Sequence, residues 1–185
     1  MSLPLAFGTE VTTIPSASYL SADQEKIMSW ERRLGERTRP RIGVVWSTTH
    51  DSTGRNVELQ RFRRLFDRRF EFISLQKEML DRDQASWDPA DIVHYGDAIE
   101  DFSDTAALCC LMDLVISVDT SVAHLAGALG RPVWVLLSWS ADWRWMLDRD
   151  DSPWYPSMRL FRQQARGDWD GVLRRVAREL EARFG

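Results

Sequence analysis

Four side chains that can bind an anion stand together where a predicted strand meets a predicted helix: Asp119, Thr120, Ser121 and His124. They open a helical pattern over residues 122–129. The start of a helix carries unpaired backbone N–H groups and the positive end of its dipole, so it favours an anion such as a diphosphate. His124 lies one turn inside this helix, and its side chain tilts back towards the opening. The sequence therefore predicts a phosphate-sized site made of two hydroxyls, a carboxylate and an imidazole.

A purely structural role is the alternative for these residues. Thr120 or Ser121 would then cap the helix, and His124 would be a histidine whose hydrogen bonds are satisfied within the fold. That role accounts for the hydroxyls but not for the imidazole or for the carboxylate of Asp119 at the end of the strand. We favour the ligand interpretation because functional residues gather on such loops.

Other polar residues are expected at the same edge of the sheet. The loop at residues 47–56 is rich in hydroxyls and contains the cation Arg55 near its end, although a solvated surface loop fits it equally well. Further candidates for the site are Thr48, Thr49, Gln76, Lys77 and Trp143. Trp143 either covers the sheet edge or stacks on a base or sugar ring.

Apolar runs alternate with helical patterns along the chain. Strands are predicted at residues 41–46, 70–75, 92–95, 115–118, 133–137 and 158–161. Helices are predicted at residues 22–34, 59–66, 81–86, 105–112, 122–129 and 169–183, with N-caps at Ser21, at Ser103 or Asp104, and at Asp168. Strands that are almost continuously apolar are typical of a parallel sheet covered on both faces. We therefore predict an α/β fold with a doubly wound parallel sheet, a Rossmann-like three-layer αβα arrangement, which binds its ligand beyond the carboxyl ends of the strands.

The composition fits one domain with a genuine core, since the chain has 185 residues of which 44% are hydrophobic. Residues 1–20 lack a stable period, so we interpret residues 1–40 as an N-terminal tether and linker helix, and residues 41–185 as the domain itself. A net charge of −4 and the lack of a basic face argue against nucleic acid as a partner. No apolar run reaches the ~20 residues of a membrane span.

The motifs of several cofactor and metal sites are missing from the sequence. It has no glycine-rich dinucleotide or P-loop motif, and no Cys/His spacing that suits zinc, so we expect neither cofactor nor metal. The two cysteines, Cys109 and Cys110, are adjacent within an apolar helical pattern. We interpret them as free thiols rather than a strained disulfide, which favours the cytoplasm.

Nine tryptophans are many for a chain of this length. Trp46 and Trp134 fall in apolar strands and are predicted core residues. Four more follow the fifth predicted strand: Trp139, Trp143, Trp145 and Trp154. Rings inside the cleft at the sheet edge would favour a ligand site, whereas an outward apolar patch would favour a protein partner.

Four segments of the chain resemble the C-terminal, donor-binding half of a GT-B glycosyltransferase, in the heptosyltransferase-type family and its tetratricopeptide-repeat-linked members. They are the segments at residues 42–46, 74–77, 101–127 and 142–156. The resemblance implies a site for a nucleotide-diphosphate sugar. Asp119, Thr120, Ser121 and His124 match the family's Asp-Thr-x-x-x-His element, and Arg55 falls where the family places a cation that neutralises the diphosphate. It also implies inverting, metal-independent transfer by in-line attack of an acceptor hydroxyl.

The chain departs from the family pattern in the loop that faces the substrates. Residues 47–49 are Ser-Thr-Thr where the family has Ala-Gly-Asn, and Asn56 follows Arg55 where a serine is common. A complete enzyme also needs an N-terminal half, which supplies the acceptor surface and usually the general base. We therefore expect a piece of a longer protein that is inactive alone and works with an acceptor or repeat domain.

Two other hypotheses remain open from the sequence. The first is a noncatalytic protein-interaction module that keeps this half-fold and uses exposed tryptophans. The second, less favoured, is half of a nucleotide-sugar epimerase-like enzyme. An imidazole of His124 buried far from the sheet edge would argue against the ligand site.

Overall fold

The computed structural model describes residues 3–51 and 53–185 of the chain. It contains a six-stranded sheet in the order β3-β2-β1-β4-β5-β6, and every pair of neighbouring strands is parallel. The strands are β1 Arg41–Val45, β2 Glu71–Ser74, β3 Val93–His94, β4 Leu114–Val118, β5 Val133–Leu137 and β6 Met158–Arg162. The predicted fold class, a Rossmann-like α/β sheet, is therefore confirmed. Met1, Ser2 and Ser52, which belong to the predicted tether and to the loop at residues 47–56, lie outside the described residues.

Helices connect the strands and cover both faces of the sheet. They are α1 Leu3–Ala6, α2 Gln24–Leu34, α3 Leu59–Phe62, α4 Asp81–Gln84, α5 Phe102–Leu111, α6 Ser121–Ala128 and α7 Trp169–Phe184. The side chains of consecutive residues of β4 point to opposite faces of the sheet, as they do in any β-strand. Leu114 and Ile116 join the core with α3 and α7, whereas Val115 joins the core with α2, α5 and α6. The predicted core tryptophans Trp46 and Trp134 are buried, as expected.

Two of the predicted helix caps are wrong. Asp23, not Ser21, accepts the N–H groups that open α2, and Asp101, not Ser103 or Asp104, caps α5 by accepting from the Ser103 N–H at 2.8 Å. In both cases a neighbouring aspartate offers a charged acceptor, which binds orphan N–H groups more strongly than a hydroxyl does. The cap at Asp168 is confirmed, because its Oδ1 accepts from the Gly171 N–H at 2.8 Å.

The predicted helix at residues 59–66 is shorter than expected. It ends at Phe62, and a 3₁₀ turn follows at Arg63–Leu65. The tighter turn still buries Leu65 in the same core, so the apolar pattern of the segment is kept.

The later part of the segment before β1, at residues 19–34, contacts the domain. In α2, Trp30 is buried and its Nε1–H donates to Asp104 Oδ1 at 3.0 Å, which joins α2 to α5. The backbone N–H groups of Tyr19 and Leu20 both donate to the carbonyl of Ala128, at 3.0 and 3.2 Å, at the C-terminal end of α6.

No helix in the described part of the chain is long and apolar enough to cross a membrane. Cys109 and Cys110 are both free, and burial raises the pKa of the Cys109 thiol to about 12.

Candidate functional site

A cavity of about 550 Å³ opens at the carboxyl edge of the sheet. It lies between β1 and β4, where the strand order reverses, since β2 and β3 extend to one side and β5 and β6 to the other. This switch point is where open α/β sheets bind ligands. Of the ten residues predicted for the site, the structure brings eight to the cavity wall: Thr48, Thr49, Arg55, Gln76, Lys77, Asp119, Thr120 and Ser121. His124 and Trp143 are not among the lining residues.

The first turn of α6 forms one wall of the cavity. Thr120 occupies the N-cap position, but within the described chain its side chain makes no capping hydrogen bond. Its hydroxyl instead lies 3.0 Å from the hydroxyl of Ser117, at the end of β4. Ser121 and Val122, which follow, line the cavity. Because Thr120 does not satisfy the opening N–H groups, helix capping does not explain the hydroxyls of this element.

Arg55 forms the facing wall and is held in place through two backbone carbonyls. Its Nη1 donates to the carbonyl of Asp119 at 3.3 Å, and its Nη2 donates to the carbonyl of His50 at 3.2 Å. Its Nε is buried and has no hydrogen-bond partner among the described residues. A buried N–H group without a partner is costly.

The loop that carries Arg55 is shaped by Asp51 and Asn56. Asp51 accepts the backbone N–H groups of Arg55 and Asn56 at 3.0 and 3.1 Å. Burial acts to raise the pKa of Asp51, but these N–H donors outweigh it and hold the pKa below its usual value. The amide of Asn56 closes the loop by donating to the Thr48 carbonyl at 2.8 Å and accepting from the Thr48 N–H at 2.9 Å.

Gln76 supports the backbone of the site, because its polar atoms are used in hydrogen bonds within the protein. Its buried Oε1 accepts the backbone N–H groups of Trp46 and Ser47, at 2.8 and 2.9 Å. Its Nε2 donates to the carbonyl of Glu78 at 3.1 Å. The side chain thus fixes the turn after β1, because both halves of its amide are occupied.

The far side of the cavity is more apolar. Leu75, Ile99 and Phe102 line it, and 58% of the Phe102 residue is exposed. Lys77 lies at the mouth, where its Nζ donates to the carbonyl of Glu100 at 2.8 Å. This end is suited to a flat, partly apolar group, with one cation near its rim.

His124 lies at the sheet edge beside the cavity, not deep in the core. About a third of its side chain is exposed, its Nε2 lies 3.9 Å from Asp119 Oδ1, and Asp119 itself lines the cavity. The ring stacks on Trp145 with centroids 5.0 Å apart and an angle of 20°, and its Nδ1 lies 3.3 Å from the hydroxyl of Tyr155. Burial lowers the pKa of His124, although Asp119 acts in the opposite direction. The imidazole is therefore mostly neutral at pH 7.

The four clustered tryptophans divide between the interior and the surface. Trp145 is fully buried beneath His124, whereas Trp139 and Trp143 are 56% and 63% exposed. Trp143 packs edge-on against Trp154, with centroids 6.4 Å apart, and carries the guanidinium of Arg144 over its ring. The four tryptophans as a group therefore do not decide between a ligand site in the cleft and an outward surface for a protein partner.

The residues that organise His124 and the loop at residues 47–56 were missed by sequence reasoning. Tyr155 contacts His124 across 31 positions of the chain, and Asp51 looked like an ordinary residue of a polar loop. Asn56 was noted only as a departure from the family pattern, not for its hydrogen bonds. No spacing signal marks them, because each acts through a neighbour that only the fold supplies.

The fold and the cavity together define a Rossmann-like domain with an open cavity at the start of α6. Residues 100–165 match the sequence model of glycosyltransferase family 9 (heptosyltransferase), and this span contains Asp119, Thr120, Ser121 and His124. Protein FlbA of Caulobacter vibrioides is 29% identical over 177 residues, which cover 88% of this chain and 29% of FlbA.

Three solved structures share the fold. ADP-heptose lipopolysaccharide heptosyltransferase II of E. coli superposes with a TM-score of 0.62 at 16% identity, over 92% of this chain and 55% of that one. A family 9 glycosyl transferase of Veillonella parvula gives 0.61 at 12% identity, over 90% and 47%. E. coli heptosyltransferase WaaC with ADP-2-deoxy-2-fluoro heptose gives 0.59 at 13% identity, over 99% and 56%. The predicted resemblance to the heptosyltransferase-type family is confirmed, and the chain spans about half the length of these structures and less of FlbA.

Proposed function

We propose that this chain is the nucleotide-diphosphate-sugar-binding domain of an inverting, metal-independent glycosyltransferase, one half of a GT-B fold that is inactive alone. One observation carries the proposal. A cavity of about 550 Å³ at the switch point is lined both by the first turn of α6, whose N-cap makes no side-chain hydrogen bond, and by Arg55, which reaches across to the Asp119 carbonyl. That volume lies within the range of small-molecule sites.

The positive groups of the cavity suit a diphosphate. Three hydrogen-bond donors are available: the N–H groups at the start of α6, the hydroxyl of Ser121 and the guanidinium of Arg55. The guanidinium is positively charged, and the helix start is the positive end of the helix dipole. In the transfer, the acceptor oxygen bonds to the anomeric carbon while the bond from that carbon to the diphosphate breaks. Donors aimed at the departing oxygen stabilise the charge that develops there, which is the contribution a metal makes in other transferases.

The rest of the site would hold the two ends of the donor. The apolar wall of Leu75, Ile99 and Phe102 is suited to the nucleoside, with Lys77 beside it. The opposite end, where Asp119 separates the cavity from His124, is suited to the sugar. Thr48 and Thr49 lie in the loop between these ends and add hydroxyls to the wall.

The acceptor and the general base would come from another domain. We propose that residues 1–40 link the domain at residues 41–185 to that partner, either an acceptor half or a repeat domain. The free thiols of Cys109 and Cys110 fit a reducing cytoplasm.

Calorimetric titration of the chain with UDP-, ADP- and GDP-sugars, up to millimolar concentration, tests the proposal. We expect binding of at least one donor and no turnover, since the acceptor half is lacking. Arg55→Ala should weaken that binding about tenfold or more, because charge-assisted hydrogen bonds contribute about 1.5–3 kcal/mol. Arg61→Ala is the matched control, since Arg61 is exposed on α3 away from the cavity. No heat with any donor, or equal weakening by both variants, would refute the proposal.

A noncatalytic interaction module is the second candidate, and the exposure of Trp139, Trp143 and Leu147 favours it. The same titration separates the two functions. A module that has lost the activity should bind no sugar nucleotide, whereas the Arg55-dependent binding expected above would exclude this alternative.

A further inference from the structure

A chain of three side chains connects the segment before the domain to the proposed donor site. The hydroxyl of Tyr19 lies 3.3 Å from that of Tyr155, and the hydroxyl of Tyr155 lies 3.3 Å from His124 Nδ1. On the other side of the imidazole, Nε2 faces Asp119 Oδ1 at 3.9 Å. The two tyrosines are 136 positions apart in the chain, so only the fold brings them together.

Asp119 and Tyr155 act on opposite nitrogens of the imidazole, and both favour the same direction of the hydrogens. An ionised carboxylate can only accept, so it favours the form of His124 that carries its hydrogen on Nε2. Nδ1 then presents a lone pair, which accepts the O–H of Tyr155, and the oxygen of Tyr155 accepts the O–H of Tyr19. Burial, and next the hydrogen bond with Tyr19, raise the pKa of Tyr155, which keeps this phenol protonated as a donor.

Both tyrosines are held in place by α6. Gly127 leaves room for the ring of Tyr155 to lie across the helix, since a Cβ at this position would come within 2.7 Å of Tyr155 Cγ and 2.4 Å of Met158 Cε. Tyr19 is anchored through its own N–H and that of Leu20, which both donate to the carbonyl of Ala128. The same helix therefore carries the anion site at its start, His124 on its first turn and the anchor of Tyr19 at its end.

We propose that Tyr155 and Tyr19 are positioning residues, which hold His124 as the neutral Nε2–H tautomer and direct that hydrogen towards the sugar-diphosphate end of the site. The part of this inference that concerns binding rests on the proposed function. The tautomer itself is a property of the free protein. Arg144 and Asp142, which also act on the charge of His124, lie on the segment after β5 and outside the tyrosine chain.

Nitrogen NMR of the imidazole rings in the free protein tests the proposal directly. We expect His124, assigned by loss of its signals in His124→Gln, to show the shifts of the Nε2–H tautomer at pH 7.5. Tyr155→Phe removes the donor to Nδ1 and should raise the population of the Nδ1–H tautomer above that of the wild type, although Asp119 remains. Tyr95→Phe is the matched control, because Tyr95 packs on Trp30 outside this chain. An unchanged tautomer in folded Tyr155→Phe would overturn the proposal.

A second variant keeps the test decisive if Tyr155→Phe does not fold. Tyr19 is 65% exposed, so Tyr19→Phe should leave the fold intact. It removes only the outer hydrogen bond, and we expect a smaller change of the His124 shifts in the same direction. No change of those shifts in Tyr19→Phe would contradict the role of Tyr19.

Titration with the sugar nucleotide that binds best tests whether Tyr155 also affects the affinity for the donor. Tyr155→Phe should weaken binding about threefold to tenfold, the equivalent of one hydrogen bond, while Tyr95→Phe should not. If the wild-type chain binds no donor, the proposed function fails while the NMR result still decides the tautomer. If donors bind but Tyr155→Phe leaves both the tautomer and the affinity unchanged, the positioning role fails alone.

Discussion

At the scale of single residues, one buried amide sets the shape of the cavity wall. Gln76 accepts the N–H groups of Trp46 and Ser47, the two residues that leave β1. These N–H groups lie past the end of the strand, where the ladder no longer pairs them. The loop carrying Arg55 starts from this turn, so the side chain of Gln76 contributes both to stability and to the site.

Gln76→Ala should lower the free energy of unfolding by about 2–4 kcal/mol, because it leaves two buried N–H groups without an acceptor. Urea unfolding followed by fluorescence measures the change. Gln84→Ala is the control, since Gln84 is exposed on α4. Equal stability of the two variants would show that water replaces the amide.

The residues after β4 show how much residue types alone predict about the candidate site. Asp119, Thr120 and Ser121 follow an apolar strand directly, and their approach to the cavity follows from the geometry of a strand–helix turn. His124 was predicted beside the same anion, but its ring lies on the other side of Asp119, against Trp145 and Tyr155. The position of the His124 ring depends on these two aromatic rings, which are distant in the sequence.

At the scale of elements, α3 is capped by a residue of another helix. Glu58 is its N-cap but makes no side-chain capping hydrogen bond. Asp83, in α4, accepts the Leu59 N–H at 3.0 Å with one oxygen and the Trp46 Nε1–H at 2.9 Å with the other. The carboxylate is buried, so α3, α4 and the end of β1 are joined at one point.

Asp83→Ala should destabilise the chain by about 3 kcal/mol or more, because it leaves the Trp46 indole and the Leu59 amide unpaired in the core. Thermal unfolding, with the indole N–H of Trp46 observed by NMR, checks the prediction. Asp81→Ala, at an exposed position of the same helix, should change stability by less than about 0.5 kcal/mol. Similar losses in both variants would mean that α4, not the buried carboxylate, is what matters.

The type and order of the elements followed from the sequence, but their ends did not. Periodicity locates strands and helices because it depends on which face is buried. Ends depend on which acceptor reaches the orphan N–H groups, and at α2 and α5 an aspartate two or three positions from the predicted cap does so. The cap of α3 lies 24 positions away in the chain, where no local pattern can reveal it.

At the scale of the whole molecule, two half-buried histidines make stability depend on pH. Burial lowers the pKa of His94, whose Nδ1 lies 3.0 Å from the Ser74 hydroxyl, and the pKa of His124. Because both folded-state values lie below the unfolded value of about 6.5, the unfolded chain binds more protons near pH 6. The contribution of the two histidines to stability is complete above the unfolded-state pKa. It is lost as the pH falls through the folded-state pKa values.

Unfolding in urea at pH 7.5 and pH 5.5 should therefore give a lower free energy at pH 5.5. The double variant His94→Gln with His124→Gln should show a smaller difference between the two pH values, and His50→Gln, at an exposed position, should not. Carboxylates such as Asp101, whose hydrogen bonds with Ser103 lower its pKa to about 2, lose their contribution only at more acidic pH. The prediction is wrong if the double variant keeps the full pH dependence.

The sequence by itself determined the α/β class, the parallel sheet and the placement of Asp119, Thr120 and Ser121 at the sheet edge after β4, because these depend on local periodicity and on the geometry of a strand–helix turn. The tertiary structure alone decided that Arg55 meets this helix, that Gln76 and Asp83 hold the surrounding backbone, and that Tyr19 reaches His124 through Tyr155. Such contacts join segments that are far apart in the chain. Their geometry is set by the strand order and by the packing of side chains, which no local pattern encodes.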